Sequence, residues 1–470
     1  MTRVISMDPT PTPPSPAPDS QPRYRWFAYE NVRVLLTTVV GVLVARTLGV
    51  DDFGVLASGF ALVALLSTAV DLGIERQVKS DLAAKPSEAA VVLGTAMALR
   101  VAMAGVVYGA LFLFAPGGAT GQRAVWLVAG LAWFLQSPHS LAAWLTHLGQ
   151  VRYVQATTYT GFGALVLLRV GLVFSGAPAV WFAASLALEA TLSALVLFYA
   201  HGRLAPADEA FGWDPALARR WLSTAWRDAG PAFLALALLP LHQVLLALLC
   251  SAADAGRYGA ALLLFECLAY ALGAYWLFHS KAVASAPGPK EGPSLLSLAQ
   301  ARLVAWAWLA AAVLAGLSRW IAPLCFGPEF AGSALTFAAA GVSLVPFALG
   351  LVRAAEWIDP VQARRNRLTQ AAGIVMAAVL SSILMVQWGA PGAAIGTLLA
   401  LCTSQVVATF AWADARPVAR AQLDALLLAP LWRRRTPPAA PAKSVPVLPA
   451  TVAPEAAAAE AAATAAQTQL

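Results

Sequence analysis

Residues 27–73, FAYENVRVLLTTVVGVLVARTLGVDDFGVLASGFALVALLSTAVDLG, hold two apolar runs parted only by Gly49-Val50-Asp51-Asp52. Each run is about 20 residues long, the length at which an α-helix crosses the hydrocarbon core of a bilayer. Ten more runs of this kind follow. The expected spans are 27–48, 53–73, 91–114, 125–146, 156–174, 178–200, 230–250, 257–279, 301–322, 331–352, 368–388 and 391–412. All are read as helices, because a helix satisfies its own backbone in lipid and no ten-residue barrel alternation is visible. Composition agrees: 59% of residues are hydrophobic and 12% charged, with a mean hydropathy of +0.69. A soluble domain carries about 25% charged residues.

With the N-terminus inside, Arg46, Arg123, Arg257 and Arg319 fall at outer helix ends or loops, and Arg100 and Arg169 fall within spans. The remaining Lys and Arg lie in the tails, inner loops or inner helix ends, so both termini are expected on the cytoplasmic side. The net charge of +7 is then a topology signal with some attraction to anionic lipid, and no nucleic-acid partner is implied. Cys250, Cys267, Cys325 and Cys402 are scattered without CxxC spacing, which points to buried thiols rather than a metal or redox site.

The spans divide into an N-terminal six-helix lobe, 27–200, and a C-terminal one, 230–412, joined by a cytoplasmic linker, 201–229. Residues 1–26 read as a Pro-rich disordered tail rather than a leader, and 413–470 as an amphipathic segment running into a disordered Ala/Pro-rich tail. In the linker Asp214 is placed to cap a helix starting at Pro215, with Trp213, Leu217 and Trp221 on one face and Arg219, Arg220 and Arg227 on the basic side. Leu423, Leu426, Leu427 and Trp432 before Arg433-Arg434-Arg435 read as a helix on the inner leaflet. Both segments are expected to anchor the halves to the membrane surface.

The halves echo each other. Asp52-Phe53-Gly54 at the start of the second span returns as Asp254-Ala255-Gly256 before the eighth, and Gly176-Ala177-Pro178 returns as Gly389-Ala390-Pro391. Six helices per copy is an even number, so the second copy enters the membrane in the direction of the first. The repeat is therefore parallel, with a working cavity expected between the lobes.

The stretch from Ala45 through Gly54, with Asp71-Leu72-Gly73 closing the second span, resembles the first hairpin of polysaccharide-exporting flippases of the Wzx type. These belong to a superfamily shared with the MATE multidrug exporters and the lipid II flippases. Leu324-Cys325-Phe326-Gly327-Pro328-Glu329-Phe330 and Gly389 through Ile395 are similar to that family's ninth-to-tenth and eleventh-to-twelfth connections. The resemblance covers 27–412. It implies an all-α, MATE-like polytopic fold with twelve transmembrane helices in two lobes around a central cavity. It also implies translocation of an undecaprenyl-diphosphate-linked oligosaccharide across a bacterial inner membrane, with other polysaccharide-assembly proteins as potential partners and no cofactor.

Such a substrate requires cations for the diphosphate, and charges within helices are costly enough to mark function. Arg100, in the third span, and Arg169, in the fifth, are the leading candidates, followed by Arg33 and Arg46, which flank the first. Guanidinium bonds phosphate oxygens in pairs and keeps its charge when partly desolvated. An internal ion pair competes for the first two, and snorkelling to the interface for the others. Glu189 and Glu266 could pair with these arginines or titrate and couple transport to protons or sodium; Asp71, near an inner helix end, is read as solvated or capping with coupling as the alternative. His139 follows Pro138 and His242 follows Pro240, with Gln136 and Gln243 close by, so each sits at an expected kink able to line a cavity, or is held by a neighbouring helix.

No H-E-x-x-H, P-loop or G-x-S-x-G motif is present, and Gly161-Phe162-Gly163 lies in an apolar helix. The chain is therefore expected to be a transporter rather than an enzyme, driven by gradients or by consumption of product. Two rivals stand beside the flippase. A cation-coupled exporter of small amphiphiles would bring an acid in the first helix, where only Glu30 stands at the entrance; a polymerase or ligase would bring large external loops, which are short here. A peptidoglycan-precursor flippase would bring fourteen helices.

Overall fold

The structure, a computed structural model, describes residues 20–115, 121–205, 210–284, 292–357 and 360–429. Among the described residues every regular element is helical. The first element, α1, runs Ser20–Asp71 and contains both the first and the second expected span, kinked at Gly49, where φ is 77° and ψ 177°. Residues 20–26 are thus helix rather than tail; the rest of that tail, the Ala/Pro-rich end and Trp432 to Arg435 lie outside the described residues.

The chain continues through α2 (Ile74–Ala84), α3 (Ala89–Phe114), α4 (Gln122–Gly130), α5 (Ala132–Leu135), α6 (Ser140–His147), α7 (Val151–Ser175) and α8 (Ala179–Leu204). The second half comprises α9 (Pro215–Leu236), α10 (Leu238–Leu249), α11 (Ala252–Ala284), α12 (Gly292–Gly316), α13 (Ser318–Ile321), α14 (Ala334–Glu356), α15 (Pro360–Met376), α16 (Ser382–Trp388), α17 (Ala390–Gln405) and α18 (Arg416–Leu426). Nine helical segments among the described residues are long and apolar enough to cross a bilayer, and the first, Asn31–Ala84, holds two expected spans. The two spans not among them, 125–146 and 230–250, are interrupted helices, which leaves the architecture compatible with twelve crossings.

Both interruptions follow from proline. Pro138 has no N–H for the carbonyl of Phe134, and α5 ends at Leu135 before a tight turn over Ser137–His139. The freed carbonyl is served by the Ser137 hydroxyl, which donates to it at 2.8 Å. Pro240 strips a donor from the carbonyl of Leu236, and Leu236 is where α9 stops, one residue before α10 begins. The repeated Gly-Ala-Pro also has a local cause: Gly176 and Gly389 close their helices at φ 64° and φ 59°, and the proline that follows each lies at the entry of the next helix.

The linker differs from its expected form. Asp214 does cap the helix, accepting from the Ala216 amide at 2.8 Å, but α9 then runs unbroken past the expected boundary at 229. Trp221 is fully buried among Ile74, Val78, Leu82 and Leu93, and its indole N–H donates to Asp81 at 2.7 Å. Arg220 pairs with the same carboxylate. The helix therefore docks on α2 and α3 through Trp221, while Trp213 stays 54% exposed. The closing helix α18 packs against α12, with the Trp308 indole donating to the Leu426 carbonyl at 3.2 Å. Its exposed leucines, Leu423 and Leu427, keep the outward apolar face read from the sequence.

Trp221→Ala is expected to lower stability by about 3–5 kcal/mol, since a large aromatic leaves a closed site. Thermal unfolding in detergent checks this, with Trp213→Ala as the control that leaves the transition in place.

Candidate functional site

Two ends of the bundle carry distinct constellations. At one end the repeated Asp-x-Gly segments meet each other. A Cβ added to Gly54 would lie 1.9 Å from the carbonyl oxygen of Ala252, and one added to Gly256 would lie 1.9 Å from that of Val50. The relation is reciprocal: each glycine covers the residue two before the aspartate of the other copy. α1 and α11 thus touch backbone to backbone, which only residues without a side chain allow.

Carboxylates tie this contact to the remaining segments. The Val50 amide donates to Glu329 at 3.0 Å, and the Ala390 amide to Asp254 at 3.3 Å. Asp254 also accepts from the Ser251 hydroxyl at 2.6 Å and faces Arg257 at 3.4 Å. Arg46 donates to the Leu324 carbonyl at 3.0 Å, and Phe53 meets Phe330 edge to face at 6.4 Å. Gln243, 1% exposed, donates to the Ala255 carbonyl at 2.9 Å. The two Asp-x-Gly segments, the 324–330 connection and the 389–395 connection all converge here.

At the opposite end a cavity of about 330 Å³ opens between the two halves, lined by Arg76, Leu234, Trp357, Ala363, Asn366, Arg367 and Gln370. Its lining holds two guanidinium groups and, among the described residues, no carboxylate. Behind this wall Arg353 is 1% exposed. One of its nitrogens donates to the carbonyls of Ser404 and Gln405 and to the Thr409 hydroxyl, the other to Asn366 and to the Gln405 side chain, all within 2.6–3.1 Å. Its guanidinium also lies 5.1 Å from the ring centre of Trp357. All five hydrogen bonds go to neutral oxygens, so they fix the group without cancelling its charge. Two of the residues the guanidinium meets, Asn366 by a hydrogen bond and Trp357 through its ring, form part of the cavity wall.

The residues singled out from the sequence lie elsewhere. Arg100 is 6% exposed and closes an ion pair with Asp71, with the Ser140 hydroxyl accepting its other nitrogen at 3.0 Å. Asp71 is accordingly a counter-ion rather than a solvated cap, and His139 lies beside this pair. Arg169 donates to the Ser185 hydroxyl at 3.0 Å and sits over the Phe60 ring at 5.0 Å; Glu189, one turn beyond Ser185, lies in the field of both Arg169 and Arg33. Arg46 belongs to the glycine end. His242 is fully buried with both ring nitrogens engaged, by the Leu238 carbonyl at 2.7 Å and the Ser381 hydroxyl at 3.0 Å. Ser381 is presented by a widened π-turn over Ala377–Ser381, so the kink at Pro240 joins two helices instead of lining the cavity. None of these residues lines the 330 Å³ cavity.

Sequence reading missed Arg76, Arg353 and Arg367 because each falls just outside an expected span, where positive residues are explained by topology alone. The available signal was Arg353-x-x-x-Trp357, a cation one turn from an aromatic.

No protein-family model matches the chain, and no curated protein matches it. Solved structures do share its fold. The lipid II flippase MurJ in an inward closed conformation matches with a TM-score of 0.62 at 12% identity, covering 88% of this chain and 94% of that one. An inward-facing multidrug resistance MATE-family transporter of the MOP superfamily matches with a TM-score of 0.58 at 13% identity, covering 83% and 96%. The all-helical, polytopic, MATE-like architecture expected from the sequence is thereby established.

Two outcomes check the site. In a chain whose only cysteine is Cys250, Gly256→Val drives α1 and α11 apart, and modification of that thiol by a membrane-impermeant maleimide should accelerate severalfold. Asp71→Asn leaves Arg100 without its counter-ion and should cost up to about 3 kcal/mol, less than for a fully buried pair because Asp71 is partly exposed. Thermal melts of the single variant and of Asp71→Leu with Arg100→Met separate the two halves of that pair, the double variant recovering part of the loss.

Proposed function

We propose that this chain carries undecaprenyl-diphosphate-linked oligosaccharide units from the inner to the outer leaflet of a bacterial inner membrane, for surface polysaccharide assembly, by alternating access of lobes 27–200 and 230–412. The observation that carries this reading is the cationic lining of the cavity: Arg76 and Arg367 stand among its described lining residues, with Arg353, held by neutral oxygens, behind them. Burying the Arg353 guanidinium against neutral oxygens is costly, and an arriving diphosphate would supply a counter-charge beside it. A cationic drug would meet repulsion at the same place.

Lysine and arginine placement in the sequence supports a cytoplasmic position for this cavity and both termini, with the glycine end outside. The chain then stands sealed toward the outside by the Gly54 and Gly256 contact and open toward the side where lipid-linked sugars are made. Its likeness to a lipid II flippase supports a lipid-linked substrate, and the motif resemblance favours a polysaccharide precursor. Translocation needs no chemistry on the substrate: the lobes exchange access, and neutral walls around a fixed cationic patch allow release.

The test is deletion of the gene in its native host, with analysis of lipid-linked glycans and surface polymer. Undecaprenyl-linked units should accumulate while surface polysaccharide disappears. Complementation with Arg76→Ala or Arg367→Ala should restore export about tenfold less well than the unaltered chain, the size of one lost charge-assisted hydrogen bond. Unchanged glycan pools with lowered resistance to cationic dyes would replace this reading with the cation-coupled exporter.

A further inference from the structure

The polar side chains that line the 330 Å³ cavity are mostly donors. Arg76 and Arg367 carry N–H groups only, and the Trp357 indole has one N–H and no acceptor. Among the described lining residues, two carboxamides remain that have a side-chain oxygen to offer: Asn366 and Gln370, one turn apart on α15. The oxygen of Asn366 is already engaged. It accepts from Arg353 at 3.1 Å, and because a guanidinium can only donate, the atom facing it must be oxygen and not nitrogen. Oxygen and nitrogen stand on opposite limbs of one planar group, so an oxygen held behind the wall turns the amide nitrogen, with its two hydrogens, the other way.

The orientation holds because Arg353 has nowhere to turn. It is 1% exposed, and its other hydrogen bonds end on Ser404, Gln405 and Thr409. Gln405 is clamped in its turn. Its carbonyl accepts from Gln422 of α18 at 3.1 Å as well as from Arg353 at 2.9 Å, and Gln422 is itself 1% exposed. The Gln405 side chain fills the space over Gly350, where an added Cβ would lie 2.4 Å from its oxygen. A cradle drawn from α14, α17 and α18 thus fixes one cation, and that cation fixes the carboxamide that α15 brings to the cavity.

We propose that Asn366 is a specificity-determining residue whose amide donates to a phosphate oxygen of the bound diphosphate, and that Arg353 is the positioning residue that keeps the amide turned that way. This rests on the diphosphate reading above. A diphosphate joined to lipid at one end and to sugar at the other has oxygens and no O–H, so it only accepts. A sugar ring, whose hydroxyls both donate and accept, gains less from a wall of donors. The wall therefore selects the diphosphate at this place over the glycan. The charge of Arg353 adds to the effect, since a hydrogen bond from a guanidinium to the carboxamide oxygen polarises the N–H on its other limb.

The experiment uses the full chain in detergent, with symmetrical dimethyl diphosphate as the ligand and glucose as the neutral control, affinity read by calorimetric titration and stability by thermal unfolding. Asn366→Leu keeps the shape, removes the donor and should weaken affinity about tenfold, the size of one lost charge-assisted hydrogen bond. Asn366→Asp should weaken it about a hundredfold while raising the unfolding temperature, because the new carboxylate repels the ligand and pairs with Arg353. Arg353→Gln, which lets the Asn366 amide turn over, should cost about tenfold, and Arg353→Lys, still a pure donor, should regain most of that affinity. The Asn366 variants leave Arg353 in its cradle and keep the proposal testable if those at Arg353 do not fold. Glucose binding as tightly as dimethyl diphosphate, or affinity that merely follows unfolding temperature across the variants, overturns the proposal. Binding lost in Arg76→Ala or Arg367→Ala but kept in Asn366→Leu removes this role and leaves the diphosphate reading standing, whereas no binding of dimethyl diphosphate by the unaltered chain removes both.

Discussion

Everything at one end of this protein depends on two helices touching through their backbones. Between apolar helices in lipid there is no hydrophobic effect to draw them together, so close approach and the dispersion and carbonyl contacts it brings must supply the attraction. Gly54 and Gly256 allow that approach, each fitting over a carbonyl of the other helix. Once α1 and α11 cross there, the freed amides at Val50 and Ala390 come within reach of Glu329 and Asp254. The two connecting segments that hold Glu329 and Gly389 are then fixed as well. A contact made of glycine backbone and a few charge-assisted hydrogen bonds is also one that separates without unpacking a core.

The charges of the bundle sort themselves by a similar logic. Arg100 with Asp71, and Arg169 with Ser185, Phe60 and the nearby Glu189, are satisfied inside the N-terminal half. Arg353 is held as firmly, but by neutral oxygens, so its positive charge persists into the wall shared with Asn366 and Trp357. The difference lies in the partners rather than in the depth of burial. A guanidinium paired with a carboxylate has its charge met inside the fold; one surrounded by carbonyls and amides keeps its charge beside the cavity wall.

Most of the fold was legible in the sequence. Length and apolarity of the spans gave the polytopic helical class, the proline positions anticipated both interrupted helices, and Asp214-Pro215 marked the start of α9 where it occurs. The linker's facing was half legible: the periodicity that grouped Trp213, Leu217 and Trp221 cannot tell a lipid surface from a neighbouring helix. Asp81, far away in sequence, makes that choice by accepting the Trp221 indole. The repeated motifs were legible as repeats, but their meeting was not, since sequence identity does not say which copies face each other.

The sequence by itself determined that the chain crosses a membrane many times and is built from two echoing halves, because span length, charge placement and local turn chemistry act over a few residues. Only the tertiary structure decided which arginines meet a carboxylate and which are held by neutral oxygens, because a guanidinium's role is set by the oxygen atoms within about 3 Å of it. For Arg100 those atoms come from Asp71 and Ser140; for Arg353 they come from Ser404, Gln405, Thr409 and Asn366. These partners lie 13 to 56 residues away along the chain, beyond the reach of any local pattern.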